Sequence, residues 1–93
     1  YTVYHGSKTG PTERFDVVGR CCESGDIIQP HVELPADTCR GDILAVCTTG
    51  AYNYSMASNY NRLPRPPIVM LAKDRAYEAV RRETLEDLIA LDL

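Results

Sequence analysis

Ile68-Val69-Met70-Leu71-Ala72-Lys73-Asp74-Arg75-Ala76-Tyr77-Glu78-Ala79-Val80-Arg81-Arg82 is the stretch whose reading decides the fold class. It begins with an uninterrupted apolar run, passes through three charged residues, and continues as a mixed run that ends on two arginines. A short apolar run, a polar break and a second short run read as a β-hairpin. We expect strands over residues 68–72 and 76–82, with the turn at Lys73-Asp74-Arg75. The unbroken apolar run predicts burial of the first strand on both faces.

Working outward, the C-terminal side carries the one helix signal. Thr84 stands three residues before Asp87, the spacing of a capping box, and Leu85, Leu88 and Ile89 then share a helix face. This helix is expected to pack against the sheet. On the N-terminal side, residues 50–67 break the strand pattern with Gly50, three tyrosines (Tyr52, Tyr54 and Tyr60) and the stiff run Arg62-Leu63-Pro64-Arg65-Pro66-Pro67, a candidate subunit contact. One helical turn is expected within residues 55–61. Residues 43–48 form a second apolar run, again predicted to be buried on both faces, with Cys47 as a small buried hydrophobe. Strands are expected at residues 1–5, 14–18 and 27–32, with a loop at 6–12 and a long turn around Pro35, Asp37 and Gly41-Asp42. Pro30 makes the strand over 27–32 an edge or bulged one, because it cannot donate to a ladder. The sum is a mainly β fold: a small Greek-key-like β-barrel or sandwich with a short C-terminal helix.

Composition narrows the function. The 93 residues suit one small domain, and no interior linker divides it. The net charge is −3 and only two of the ten basic residues are lysines, scattered along the chain, which argues against nucleic-acid binding. No apolar stretch approaches the length of a membrane span. The N-terminus carries no charged segment followed by an apolar one, so no secretory signal is expected. The chain opens on Tyr1 and not on Met, and we read it as a fragment or domain of a longer protein. Cys21, Cys22, Cys39 and Cys47 do not have zinc-ligand spacing. They are expected as thiols in a reducing cytoplasm.

Two loops carry candidate chemistry. In the first, Cys22-Glu23-Ser24-Gly25-Asp26, a thiol with an ordinary pKa of about 8.5 is largely protonated at neutral pH and still able to give up its proton. That suits a general acid delivering a proton to a carbanion, while the carboxylate of Glu23 suits an ammonium group. The same residues also read as packing beside a polar turn. A Cys–His pair with His5 or His31 is a further arrangement the residue types permit. In the second loop, the small residues Gly50-Ala51 precede Tyr52, whose hydroxyl can donate to a phosphate or a carboxylate. Tyr54 and Tyr60 either do likewise or pack, and an ordered surface loop accounts for the same residues.

Three blocks give the chain a resemblance. They are Val17-Val18-Gly19-Arg20-Cys21-Cys22-Glu23-Ser24-Gly25-Asp26; Gly41-Asp42-Ile43-Leu44-Ala45-Val46 with the run from Thr49-Gly50-Ala51-Tyr52 through Ser58-Asn59-Tyr60-Asn61 and then Arg65-Pro66; and Arg81-Arg82-Glu83-Thr84-Leu85-Glu86-Asp87-Leu88. In this order they resemble the C-terminal β-domain of the diaminopimelate decarboxylases, pyridoxal 5′-phosphate (PLP) enzymes with an alanine-racemase-like fold. The resemblance implies that residues 1–93 are the C-terminal β-domain, and that an N-terminal (β/α)8 barrel carries the PLP-binding lysine and most phosphate contacts. It implies a homodimer with active sites at the subunit interface, and conversion of meso-2,6-diaminopimelate to L-lysine. Cys22 then matches the residue that protonates the α-carbon in the partner subunit's site. Glu23 matches the residue that binds the distal end of the substrate, and Tyr52 one that contacts PLP and substrate. Lys8 and Lys73 do not match the PLP lysine, Cys21 receives no role, and the chain alone is expected to be inactive.

Two other readings remain open at this level. A sister decarboxylase would act on ornithine, arginine or carboxynorspermidine, although Glu23 after the cysteine favours diaminopimelate, because the polyamine enzymes usually carry Asp there. A β-domain without catalysis would serve only dimerisation or partner binding.

Overall fold

A computed structural model describes all residues, 1–93. The chain divides into two compact units, Tyr1–Ala51 and Tyr52–Leu93. The first contains β1 (Val3–His5), β2 (Thr12–Val18), β3 (Ile27–Pro35) and β4 (Leu44–Val46). The second contains α1 (Asn53–Met56), a 3-10 turn at Tyr60–Arg62, β5 (Ile68–Leu71), β6 (Ala76–Val80) and α2 (Leu85–Leu88). The mainly β expectation holds, and every expected strand is present with ends shifted by a few residues.

The strands pair as three antiparallel ribbons, β1 with β4, β2 with β3, and β5 with β6. The chain itself closes no barrel, because closure needs two neighbours for every strand and each strand here has one. In the first unit the alternation of β3 turns Val32 and Leu34 inward, where they meet Val3 of β1; Leu34 is only 2% exposed. Phe15, Val17, Leu44 and Val46 pack around this small core.

Pro30 acts as expected. Phe15 pairs with Val32 and Val17 with Gln29, so Pro30 and His31 together oppose Asp16, a bulge on β3. His31 adopts a positive φ of 58° there, and its backbone N–H leaves the ladder to donate to Asp16 Oδ1 at 2.9 Å.

Two burial expectations are corrected. The run 43–48 shortens to β4, with Ile43 76% exposed and Leu44, Val46 and Cys47 only half-buried. β5 is more open still, with Leu71 82% exposed. The reason is topological: a strand is covered on both faces only between layers, and a two-stranded ribbon provides none. A continuous apolar run encodes a strand but does not specify what lies above and below it.

The second unit has no buried side chain and is held chiefly by polar contacts. Glu83 is its hub. One carboxylate oxygen accepts from the Arg65 backbone N–H at 2.8 Å and from the Asn59 amide, and the other from Arg65 Nη2 at 3.0 Å. The stiff proline-flanked run is thereby tied to the chain after β6. The capping box forms as expected: Thr84 Oγ1 accepts from Asp87 N–H, and the Asp87 carboxylate accepts from Thr84 N–H at 2.8 Å. The helix it starts is a single turn, and Leu85 and Ile89 remain exposed, so the expected packing face is uncovered. The turn at 72–75 closes through Ala72 N–H to the Arg75 carbonyl, with the Arg75 guanidinium 4.8 Å from the Tyr77 ring centre.

Candidate active site

The loop between β2 and β3 is built by short backbone bonds. Gly19 N–H donates to the Asp26 carbonyl at 2.8 Å and closes the base. Asp26 N–H returns to the Glu23 carbonyl at 3.1 Å, and Ile27 N–H reaches the Gly25 carbonyl at 2.8 Å, making a tight turn through Ser24 and Gly25. Glu23 folds back over this turn, its Oε2 lying 2.7 Å from where a Cβ on Gly25 would stand. Cys22 and Glu23 are both exposed, side by side on this turn, while Cys21 is half-buried. Desolvation pushes the Cys21 thiol up, and the adjacent Asp26 carboxylate adds to the shift. Cys21 is thus a poorer proton donor than an ordinary thiol. The two neighbouring cysteines, equivalent as residue types, differ in presentation.

Tyr52 belongs to the second unit. It precedes α1, its carbonyl accepts from Met56 N–H and Ser55 Oγ, both at 2.9 Å, and its side chain is 69% exposed. Nothing in the chain stands within 4 Å of the Cβ position of Gly50. Cys22 and Glu23 are therefore brought together by one loop, and Tyr52 is set on a separate unit.

Both histidines have carboxylate neighbours, Asp42 for His5 and Asp16 for His31. His5 Nδ1 accepts two backbone N–H groups, from Ser7 at 3.0 Å and Lys8 at 2.8 Å. The other nitrogen, Nε2, therefore carries the ring proton and donates to Asp42 Oδ2 at 3.1 Å. His31 turns Nδ1 toward Asp16. Lys8 lies 2.8 Å from the same Asp42 oxygen and donates to the Asp37 carbonyl and to Cys39 Sγ. This His5–Lys8–Asp42–Cys39 cluster is not legible in the sequence, since its two pairs, His5 with Lys8 and Cys39 with Asp42, are more than thirty positions apart. It ties the loop after β1 to the turn before β4, and it makes Lys8 a structural cation. None of the four cysteines is in a disulfide.

A cavity of about 360 Å³ in the second unit is lined by Tyr54, Arg65, Val80, Arg81, Glu83 and Asp87 among others. Its arginines are already matched, Arg65 by Glu83 and Arg81 by Asp87, so it offers no free cationic group to an anion. Cys22, Glu23 and Tyr52 do not line it.

The chain as a whole has counterparts among known proteins. Residues 1–50 match the family described as pyridoxal-dependent decarboxylase, C-terminal sheet domain. The chain belongs to that family. Cys22 and Glu23 fall inside the match and Tyr52 just beyond it. The chain is 52% identical over 77 residues to diaminopimelate decarboxylase of Bacillus subtilis, covering 83% of this chain and 17% of that one. It is equally identical over 81 residues to the Synechocystis enzyme of the same name, covering 87% and 17%. Among solved structures, diaminopimelate decarboxylase from M. jannaschii in co-complex with L-lysine superposes with a TM-score of 0.91 at 35% identity, over 100% of this chain and 21% of that one. The chain thus spans about a fifth of the length of the relatives it matches.

Proposed function

We propose that the chain is the C-terminal β-domain, residues 1–93, of a PLP-dependent carboxy-lyase that converts meso-2,6-diaminopimelate to L-lysine. The observation that carries this reading is the exposed Cys22–Glu23 pair on a hydrogen-bonded turn, in a chain about half identical to enzymes of that name. An N-terminal (β/α)8 barrel completes the subunit, and strands outside this chain complete its β-barrel. Two subunits form a homodimer in which the turn of one reaches the site of the other. Four thiols without a disulfide fit a cytoplasmic setting.

The cofactor's fit follows from the donor set. The barrel must supply the PLP-binding lysine, because Lys8 is held by Asp42 and Asp37 and Lys73 lies in a hairpin turn. On this chain Tyr52, matched by the resemblance to a tyrosine that contacts PLP and substrate, has an exposed side chain that suits this role. PLP, when bound, supplies the electron sink that lets the α-carboxylate leave as CO₂.

The chain's own residues do the rest. Glu23 holds the distal ammonium end of the substrate by charge and hydrogen bonding, which orients it. Cys22 then gives its proton to the α-carbon: the S–H bond breaks, a C–H bond forms, and the thiolate regains a proton from water. In the full-length enzyme, Cys22→Ser should retain PLP absorbance while kcat falls about 100-fold, in the range of a lost general acid. Glu23→Gln should raise the KM for diaminopimelate about 10-fold, as expected for a lost charge-assisted contact. Steady-state assays by CO₂ release check both. Undiminished kcat in Cys22→Ser removes the proton-donor role. Decarboxylation of ornithine or arginine in preference to diaminopimelate moves the protein to a sister branch.

A further inference from the structure

Asp26 does more than close a turn. Its Oδ2 accepts the backbone N–H of Cys21 at 2.9 Å, while its carbonyl accepts from Gly19 at 2.8 Å. A Cβ placed on Gly19 would lie 2.0 Å from both Asp26 carboxylate oxygens. The carboxylate therefore occupies the space that any other residue at position 19 would fill. Gly19 does not have a positive φ, so close approach, and not backbone conformation, is what demands glycine there.

We propose that Asp26, seated against Gly19, is a positioning residue that sets which of the two adjacent cysteines is presented, holding Cys21 inward and Cys22 with Glu23 outward. This rests on the reading of Cys22 as proton donor and Glu23 as substrate ligand. The physical basis is the clamp on a single amide. Pinning Cys21 N–H to the side chain that closes the loop fixes the bend through residues 20–22 that follows β2, and with it the directions in which Cys21 and Cys22 leave the backbone. Without the clamp the bend is free to turn about its backbone, Cys21 can take the outward place, and the proton donor and the carboxylate both lose theirs. Small displacements of a donor from its reacting atom cost orders of magnitude in rate.

The test uses the full-length PLP-loaded enzyme, comparing kcat and KM for diaminopimelate in Asp26→Asn, Asp26→Glu, Gly19→Ala, Asp26→Ala and Gly19→Ala/Asp26→Ala, with Cys22→Ser alongside. PLP absorbance and thermal midpoint verify folding. An amide oxygen of the same length still accepts the Cys21 N–H, so Asp26→Asn should stay within about threefold of wild type, while Asp26→Glu, too long for the niche, should lose about tenfold or more in kcat with a raised KM. Gly19→Ala should match Asp26→Ala, and the double variant should be no worse than either, because removing the carboxylate empties the space that the new methyl needs. Iodoacetamide labelling read by mass spectrometry adds a readout independent of rate: label moves from Cys22 toward Cys21 in Asp26→Glu. The opposite ranking, Asp26→Glu active and Asp26→Asn impaired, overturns positioning in favour of charge. Multiplicative losses in the double variant overturn the Gly19 niche. A slow Cys22→Ser beside fully active Asp26 variants sinks this inference alone, whereas an unimpaired Cys22→Ser sinks the reading beneath it.

Discussion

Asp42 shows how a single carboxylate links distant parts of the first unit and gives its stability a pH dependence. It receives Lys8 Nζ, the Cys39 backbone N–H and the His5 ring N–H. The Lys8 contact first, then Cys39 and His5, hold its carboxyl well below the usual carboxylate range. The folded chain therefore takes up this proton at lower pH than the unfolded chain does. Asp42's contribution is present above the unfolded value of about 4 and is lost as pH falls from there through the folded value. Lys8 has the opposite window: the Asp42 hydrogen bond raises it, so its contribution is complete below 10.5 and is lost as pH rises through the folded value. Asp42→Asn should have a lower urea midpoint than wild type at pH 7, with the two curves converging as pH falls from about 4 toward 2. Parallel midpoints across that range would show that Asp42 is not the titrating link. Asp87, also held low, chiefly by Arg81, keeps some acid sensitivity in the variant.

At the scale of elements, α2 is an instance of local sequence sufficing. Four residues are too few to hold a helix through backbone bonds alone. What holds it is the reciprocal Thr84–Asp87 box and the two Arg81 bonds to the same carboxylate, at 2.6 and 3.0 Å. Thr84→Ala should cost about 1 kcal/mol in equilibrium denaturation, while Thr84→Ser, which keeps the hydroxyl, should be close to neutral. Equal losses in the two variants would assign the cost to the methyl group and not to the cap. The β2–β3 ribbon is similarly local in origin. Pro30 forces the bulge, and the bulge sets the twist of the ribbon just before the turn that presents Cys22 and Glu23. β5 is the contrasting case: its composition marks a strand, but the coverage of its faces depends on layers that no local pattern encodes.

For the whole molecule, the proposed dimer divides each active site between subunits, and that division has an arithmetic consequence. Mixing full-length Cys22→Ser subunits with subunits lacking the PLP-binding lysine should restore about a quarter of wild-type activity, since about half of randomly mixed dimers are hybrids and each hybrid holds one complete site. Activity of reassociated mixtures measures this; verified hybrids with no recovery would mean that Cys22 serves its own subunit. The sequence by itself determined the strands, the bulge at Pro30, the capping box at Thr84 and the adjacency of Cys22 and Glu23. Each of these depends on neighbours within a few positions, where backbone geometry alone decides who meets whom. Only the tertiary structure decided that Cys21 turns in and Cys22 out, that Asp26 fills the space left by Gly19, and that His5 and Lys8 converge on Asp42. Those are outcomes of loop closure and strand register, in which residues from 5 to 37 positions apart are set within bonding distance by the path of the chain between them.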